Sequence, residues 1–159
     1  MSWRRHCATS DDAQRAGEEF AAVLERGDIV LLTGPLGAGK TTFTKGVARA
    51  LGVVERVTSP TFTMVREHRC DNDRGIATLH HADVYRVESL DEVLDLAIGE
   101  LVEESAVALV EWGDLAASVF GRDVITVTFA VDEADGRTLE VAGALSAGRA
   151  VALDDWASA

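Results

Sequence analysis

The chain alternates between short, wholly apolar runs and stretches in which apolar residues recur at helical spacing, a pattern that predicts an α/β fold. Ala13, Ala16, Phe20, Val23 and Leu24 follow a Thr9 or Ser10 cap and Asp12, so a helix is expected there, closed by Gly27-Asp28. Ile29-Val30-Leu31-Leu32 has no polar alternation, as expected of a strand buried on both faces of a sheet. A second helix is expected to start inside the next, glycine-rich segment, to carry Phe43, Val47 and Ala50, and to stop at Gly52. Residues 61–68 and 76–84 read as extended, joined by the turn Asp71-Asn72-Asp73-Arg74-Gly75. Ser89-Leu90-Asp91-Glu92 is a capping box ahead of the amphipathic stripe Val93, Leu94, Ala97, Ile98, Leu101 and Val102. Residues 106–110 form a second buried run, and residues 124–131 and 138–141 alternate around Asp135-Gly136 as an antiparallel hairpin. The expected architecture is a mixed sheet flanked by helices, with that hairpin at its C-terminal end. From Asp154 onward the chain reads as loosely held, with Trp156 the residue suited to pack back.

Composition narrows the picture. A chain of 159 residues with 47% hydrophobic content suits one domain, residues 1–159, with a real core. No window approaches about 18 uninterrupted apolar residues, so no membrane span is expected. Asp11, Asp12, Glu18 and Glu19 follow the N-terminal Arg4-Arg5 pair instead of an apolar segment, which argues against a secretory signal and makes the pair a surface feature. Cys7 and Cys70 have neither metal-site spacing nor a matching His cluster and read as free thiols of a cytoplasmic protein. The formal charge is −12, from 15 basic and 27 acidic residues, which opposes strong direct binding to nucleic acid.

The segment Gly34-Pro35-Leu36-Gly37-Ala38-Gly39-Lys40-Thr41 matches G-x-x-x-x-G-K-[ST] at every fixed position, between a buried strand and a helix. Its glycines let consecutive backbone N–H groups turn toward phosphate oxygens, and the helix start adds its positive dipole end. Lys40, read as an exposed loop residue, is expected to reach the β- and γ-phosphates of ATP, and Thr41 to coordinate Mg²⁺. Leu36, Gly37, Ala38 and Gly39 complete the nucleotide contacts.

An acid is expected at the end of a neighbouring buried strand to serve the metal and the attacking water. Glu111 stands there, where most P-loop proteins carry Asp; the competing reading is a solvated strand end. Asp83 is the second candidate, against a turn-forming role. The hydroxyl-rich segment Thr58-Ser59-Pro60-Thr61-Phe62-Thr63 fits a γ-phosphate switch or a capped turn equally well. His80 and His81 cannot both face one site on a strand, and each reads as a packing or hydrogen-bonding residue. Arg86, Arg122 and Arg137 are possible phosphate or base contacts. The acidic stripe through Asp91, Glu92, Asp95, Glu100, Glu103 and Glu104 is a wet helix face or a docking surface for a basic partner. The chain has no Asn-Lys-x-Asp for guanine and no Leu-Ser-Gly-Gly-Gln, which argues against a GTPase and a transporter ATPase.

These residues resemble the TsaE (YjeE) family of bacterial P-loop ATPases. The resemblance runs through residues 34–42, Ser-Pro-Thr-Phe-Thr-Met-Val at 59–65, His-Ala-Asp-Val-Tyr-Arg at 81–86, Val-Glu-Trp at 110–112 and Gly136-Arg137. It covers nearly the whole chain, and the family carries Glu at the metal-side position. Gly113, where relatives often have Pro, departs from the pattern. The resemblance implies a role in the threonylcarbamoyl-adenosine modification of tRNA. It implies Mg²⁺ on Thr41 and Glu111, and hydrolysis supported by Asp83 and Thr42. Trp112 would lie beside the site, Arg137 on the nucleotide, and the Thr9–Ser10 cap near the base. It also implies two partners, a carbamoyltransferase-type protein and its paralogue, whose complex the ATPase cycle resets and which holds the tRNA. A small-molecule kinase, which would need an arginine-rich lid, and a nucleotide-gated binding protein are the competing readings.

Overall fold

The computed structural model describes residues 1–58, 65–84, 100, 102, 105–111 and 124–159. Its architecture is set by two apolar runs, β2 (Ile29–Thr33) and β5 (Ala106–Glu111), which pair in parallel with Leu32 opposite Glu111. Both are buried on both faces, which is why neither shows alternation. Five further strands complete a seven-stranded sheet among the described residues: β1 (Ser2–Cys7), β3 (Val65–Arg69), β4 (Thr78–Asp83), β6 (Ile125–Val131) and β7 (Arg137–Ala142). The order is β1-β7-β6-β2-β5-β4-β3, parallel from β6 to β4 and antiparallel at both margins. The carboxyl ends of β2, β5 and β4 therefore open on one edge, where ligands of open α/β sheets bind. The capped helix expected from Ser89, the segment 59–64, and Arg86, Trp112, Gly113 and Arg122 lie outside the described residues.

One face of the sheet, through Val30, Leu32, Leu79, Val107, Leu109, Val127 and Phe129, shares a core with α1 (Ser10–Phe20) and α2 (Lys40–Ala50). The opposite face buries Leu31, Ala82, Ala106, Ala108 and Val110 in a second cluster. Thr9 caps α1 through a reciprocal capping box with Asp12, as its sequence predicts. The helix ends earlier than Gly27: a 3₁₀ turn over Ala21–Val23 follows, and Leu24 is extended. Where α1 crosses α2 the backbones nearly touch. A methyl group on Gly17 would lie 2.1 Å from the Phe43 carbonyl oxygen, and one on Gly46 2.0 Å from that of Gln14. Phe43 packs between Phe20 (ring centroids 5.3 Å apart, tilted) and Phe129 (5.6 Å, edge-to-face), tying the start of α2 to α1 and β6. Each such buried ring contributes about 1.5–3 kcal/mol relative to exposure.

The two chain ends correct the sequence reading. Residues 154–159 are not loosely held: they finish α3 (Ala147–Ser158), whose alanines favour helix and whose Leu153 and Trp156 are buried one turn apart. Trp156 Nε1 donates to the Ala16 carbonyl at 2.9 Å, and Trp3 Nε1 to Asp154 Oδ1 at 2.8 Å. Nor is the arginine pair wholly a surface feature. Arg4 is exposed, but Arg5 is only 7% exposed, pairs with Glu19, donates to the Trp156 carbonyl and lies over the Trp156 ring. Strand β1 escapes a period-two search because one of its three inward residues, Trp3, Arg5 and Cys7, is charged. No helix among the described residues is long and apolar enough to cross a membrane.

Candidate functional site

Residues 34–39 join β2 to α2 at the carboxyl edge of the sheet. Gly39 occupies the N-cap of α2 at φ 100° and Gly37 sits at φ 78°, backbone conformations that strain any residue with a Cβ. No side chain caps α2, so the amide groups of its first turn keep their donors for an anion. Leu36 is 79% exposed at the loop tip, while Ala38 is buried beneath it. Lys40 is not the exposed residue expected: it is 5% exposed, with Nζ 2.7 Å from Gly34 O and 2.9 Å from Pro35 O. A charged head reads as solvent-facing in a sequence, but here loop carbonyls replace the water.

On the β5 side of the loop, the Thr41 hydroxyl donates to Glu111 Oε1 at 2.9 Å. Glu111 is 4% exposed, which rules out a solvated strand end. Its other oxygen, Oε2, lies 2.5 Å from His81 Nε2, and His81 is fully buried. Asp83 stands opposite Glu111 in the β4–β5 register, so the two carboxylates share a face of the sheet. Strand parity turns His80 to the other face. A hydroxyl and carboxylates gathered at a helix N-terminus are hard oxygen ligands, the set that suits Mg²⁺ alongside phosphate oxygens.

On the α1 side, a cleft of about 350 Å³ is lined by Thr9, Ser10, Gly37, Gly39, Thr42 and Arg137, among others. Thr42 thus lines this cleft, whereas Thr41 turns to Glu111. Arg137 reaches across from the start of β7 and donates to the Gly37 carbonyl at 3.1 Å, clamping the hairpin to the loop. Asp135, also on the cleft wall, is read from sequence only as part of the Asp135-Gly136 turn; the structure holds it at φ 62°. Two carboxylates next to these elements, Asp12 in the first turn of α1 and Asp132 in the β6–β7 turn, are held below their ordinary range. Asp12 is lowered first by the Thr9 hydroxyl, and Asp132 first by the His6 ring and then by the Gly136 amide.

All the described candidates, then, fall on one loop and its two flanks. A family model described as "Threonylcarbamoyl adenosine biosynthesis protein TsaE" matches residues 7–139. The chain belongs to the TsaE family. The tRNA threonylcarbamoyladenosine biosynthesis protein TsaE of Treponema pallidum is 38% identical over 134 residues, 84% of this chain and 96% of that protein. Its Bacillus subtilis namesake is 44% identical over 115 residues, 72% and 68% of the two chains. The crystal structure of Bacillus subtilis YdiB matches with a TM-score of 0.75 at 28% identity, covering 99% of this chain and 95% of that one. The fold is that of a P-loop NTPase, and the TsaE family is one of tRNA threonylcarbamoyladenosine biosynthesis. The family match ends at residue 139, whereas the likeness to YdiB extends over nearly the whole chain.

Proposed function

We propose that the chain is the ATP- and Mg²⁺-binding ATPase of tRNA threonylcarbamoyladenosine biosynthesis, and that its hydrolysis resets the threonylcarbamoyl-transfer complex between turnovers. The observation that carries this reading is the buried Glu111 carboxylate held on the Thr41 hydroxyl at the uncapped start of α2. Lys40 supplies a positive charge to the phosphates, beside the first-turn amides and the backbone of Leu36, Gly37, Ala38 and Gly39. Ser10 and Arg137 receive the nucleoside side in the α1 cleft. Mg²⁺, when bound, would neutralise charge developing on the transferred phosphoryl group, with Thr41 and Glu111 as the protein groups that hold it. Asp83 and Thr42 support hydrolysis, Asp83 from its place on the same sheet face as Glu111. The partners are a carbamoyltransferase-type protein and its paralogue, which hold the tRNA.

Phosphate release by the protein reconstituted with those partners tests the reading. Glu111→Gln is expected to bind Mg²⁺-free ATP near the wild-type affinity while Mg²⁺-dependent turnover falls roughly a hundredfold or more, the scale of losing a positioned acid or base. Turnover close to wild type would remove Glu111 from the mechanism, and an unstimulated wild type would remove the ATPase role.

A further inference from the structure

Glu111 raises a question that its neighbours answer. Glutamate has one more rotatable bond than the aspartate common at this position, and fixing a glutamate side chain costs up to about 1.5–2 kcal/mol of rotamer entropy. Yet both oxygens already have protein partners: Oε1 takes the Thr41 hydroxyl, and Oε2 takes His81 Nε2 at 2.5 Å. His81 is fully buried, and its Nδ1 has no hydrogen-bond partner among the described residues. Burying an imidazole with one nitrogen unpaired is costly for a residue that merely fills space. Leu79, two positions earlier on the same face of β4, fills space there without that cost. What the imidazole adds is an Nε2–H aimed at the glutamate.

We propose that His81 is a positioning residue: it fixes the carboxylate of Glu111 so that Oε1 faces Thr41 before any nucleotide arrives. This rests on the reading of Glu111 as a metal-side acid. A histidine supporting a carboxylate from behind is the kind of outer contact whose loss lowers metal affinity about 10- to 100-fold. His80, on the opposite face of the strand, has no part in it.

The test is the Mg²⁺ concentration that half-saturates tight ATP binding, measured by calorimetry at one pH, with chelator-treated protein giving the Mg²⁺-independent affinity. His81→Leu is expected to raise the half-saturating concentration about tenfold or more and to leave the chelated affinity unchanged. His81→Gln, whose amide N–H can reach the position of Nε2, is expected to restore most of the loss, and the shorter His81→Asn is not. Glu111→Gln must raise the Mg²⁺ requirement at least as far. If it does not, the reading of Glu111 fails. If it does and His81→Leu matches wild type, the positioning role fails. Equal impairment of the Gln and Asn variants would also overturn it, because only the first can supply the donor. Should His81→Leu not fold, judged by circular dichroism, the Gln–Asn comparison alone decides.

Discussion

Lys40 directs two of its donors at the loop that carries it, onto the carbonyls of Gly34 and Pro35. Carbonyl oxygens repel phosphate, so a buried cation that engages them prepares the loop for an anion as well as supplying charge to it. Replacing it with alanine should therefore do two things. ATP affinity is expected to fall roughly tenfold to a hundredfold, the equivalent of about 1.5–3 kcal/mol for a hydrogen bond to a charged group. The nucleotide-free protein should also melt at a lower temperature, because the loop loses its internal tie. Calorimetric titration and thermal melts of Lys40→Ala check both, and unchanged ATP affinity would remove the phosphate-loop reading. The loop was legible in the sequence because phosphate chemistry ties these residue types to a local spacing. The resemblance already put Thr41 and Glu111 on one metal, but the His81–Glu111 contact was not legible, since it joins positions 30 residues apart that only the sheet register brings together. Neither was the burial of Lys40 and Arg5: long charged residues are rarely interior, and what makes them so here is distant in sequence.

The hairpin β6–β7 shows the same division one level up. Its alternation and its Asp135-Gly136 turn announce two antiparallel strands, but nothing in them announces that Arg137 grips the phosphate loop. The tip that aims Arg137 is organised by Asp132. That carboxylate accepts from the amides of Ala134 at 2.9 Å and Gly136 at 2.8 Å, and meets His6 Nε2 of β1 at 2.9 Å. These contacts, His6 foremost, hold its pKa below the ordinary 3.8. A carboxyl lowered in the folded state adds stability above its unfolded pKa and loses it as pH falls through the folded one. The tip is thus expected to keep its full order above about 3.8 and to loosen only in more acid solution. The Gly136 amide, followed by NMR during acidification, should titrate with a midpoint below 3.8, and His6→Ala should move that midpoint upward. A wild-type midpoint at or above 3.8 would contradict the arrangement. Strand β1, which brings His6 there, and α3 were the elements hardest to read. The first has an arginine among its inward residues, and the second has only Leu153 and Trp156 to mark its buried side.

At the scale of the molecule, the fate of the basic residues matters more than their number. Of 15 lysines and arginines, Arg5, Lys40, Arg74, Arg137 and Arg149 are turned onto the protein's own carbonyls and carboxylates. Arg74 donates to the carbonyls of Ala21 and Leu24, and Arg149 pairs with Asp28 while donating to the Val23 carbonyl at 3.0 Å. Cations committed in this way are poorly placed to replace counterions on a phosphate backbone, so the surface is poorer in free positive charge than a net −12 already implies. This fits the proposed arrangement in which the partner subunits, not this chain, hold the tRNA. The isolated protein is expected to show no tRNA retention in a filter-binding assay at about 0.15 M salt, where the Debye length is about 8 Å and exposed charges are well screened. Tight binding there, weakening steeply with added salt, would mean that a basic patch outweighs the overall charge. Capture by the immobilised partner pair should in turn follow the nucleotide: strong with ATP and Mg²⁺, weak with ADP, and lost for Lys40→Ala. Equal capture in all three conditions would show that association does not depend on the loop, and the proposed reset of the complex by hydrolysis would lose its physical basis, because a ligand with no preference between two states shifts neither.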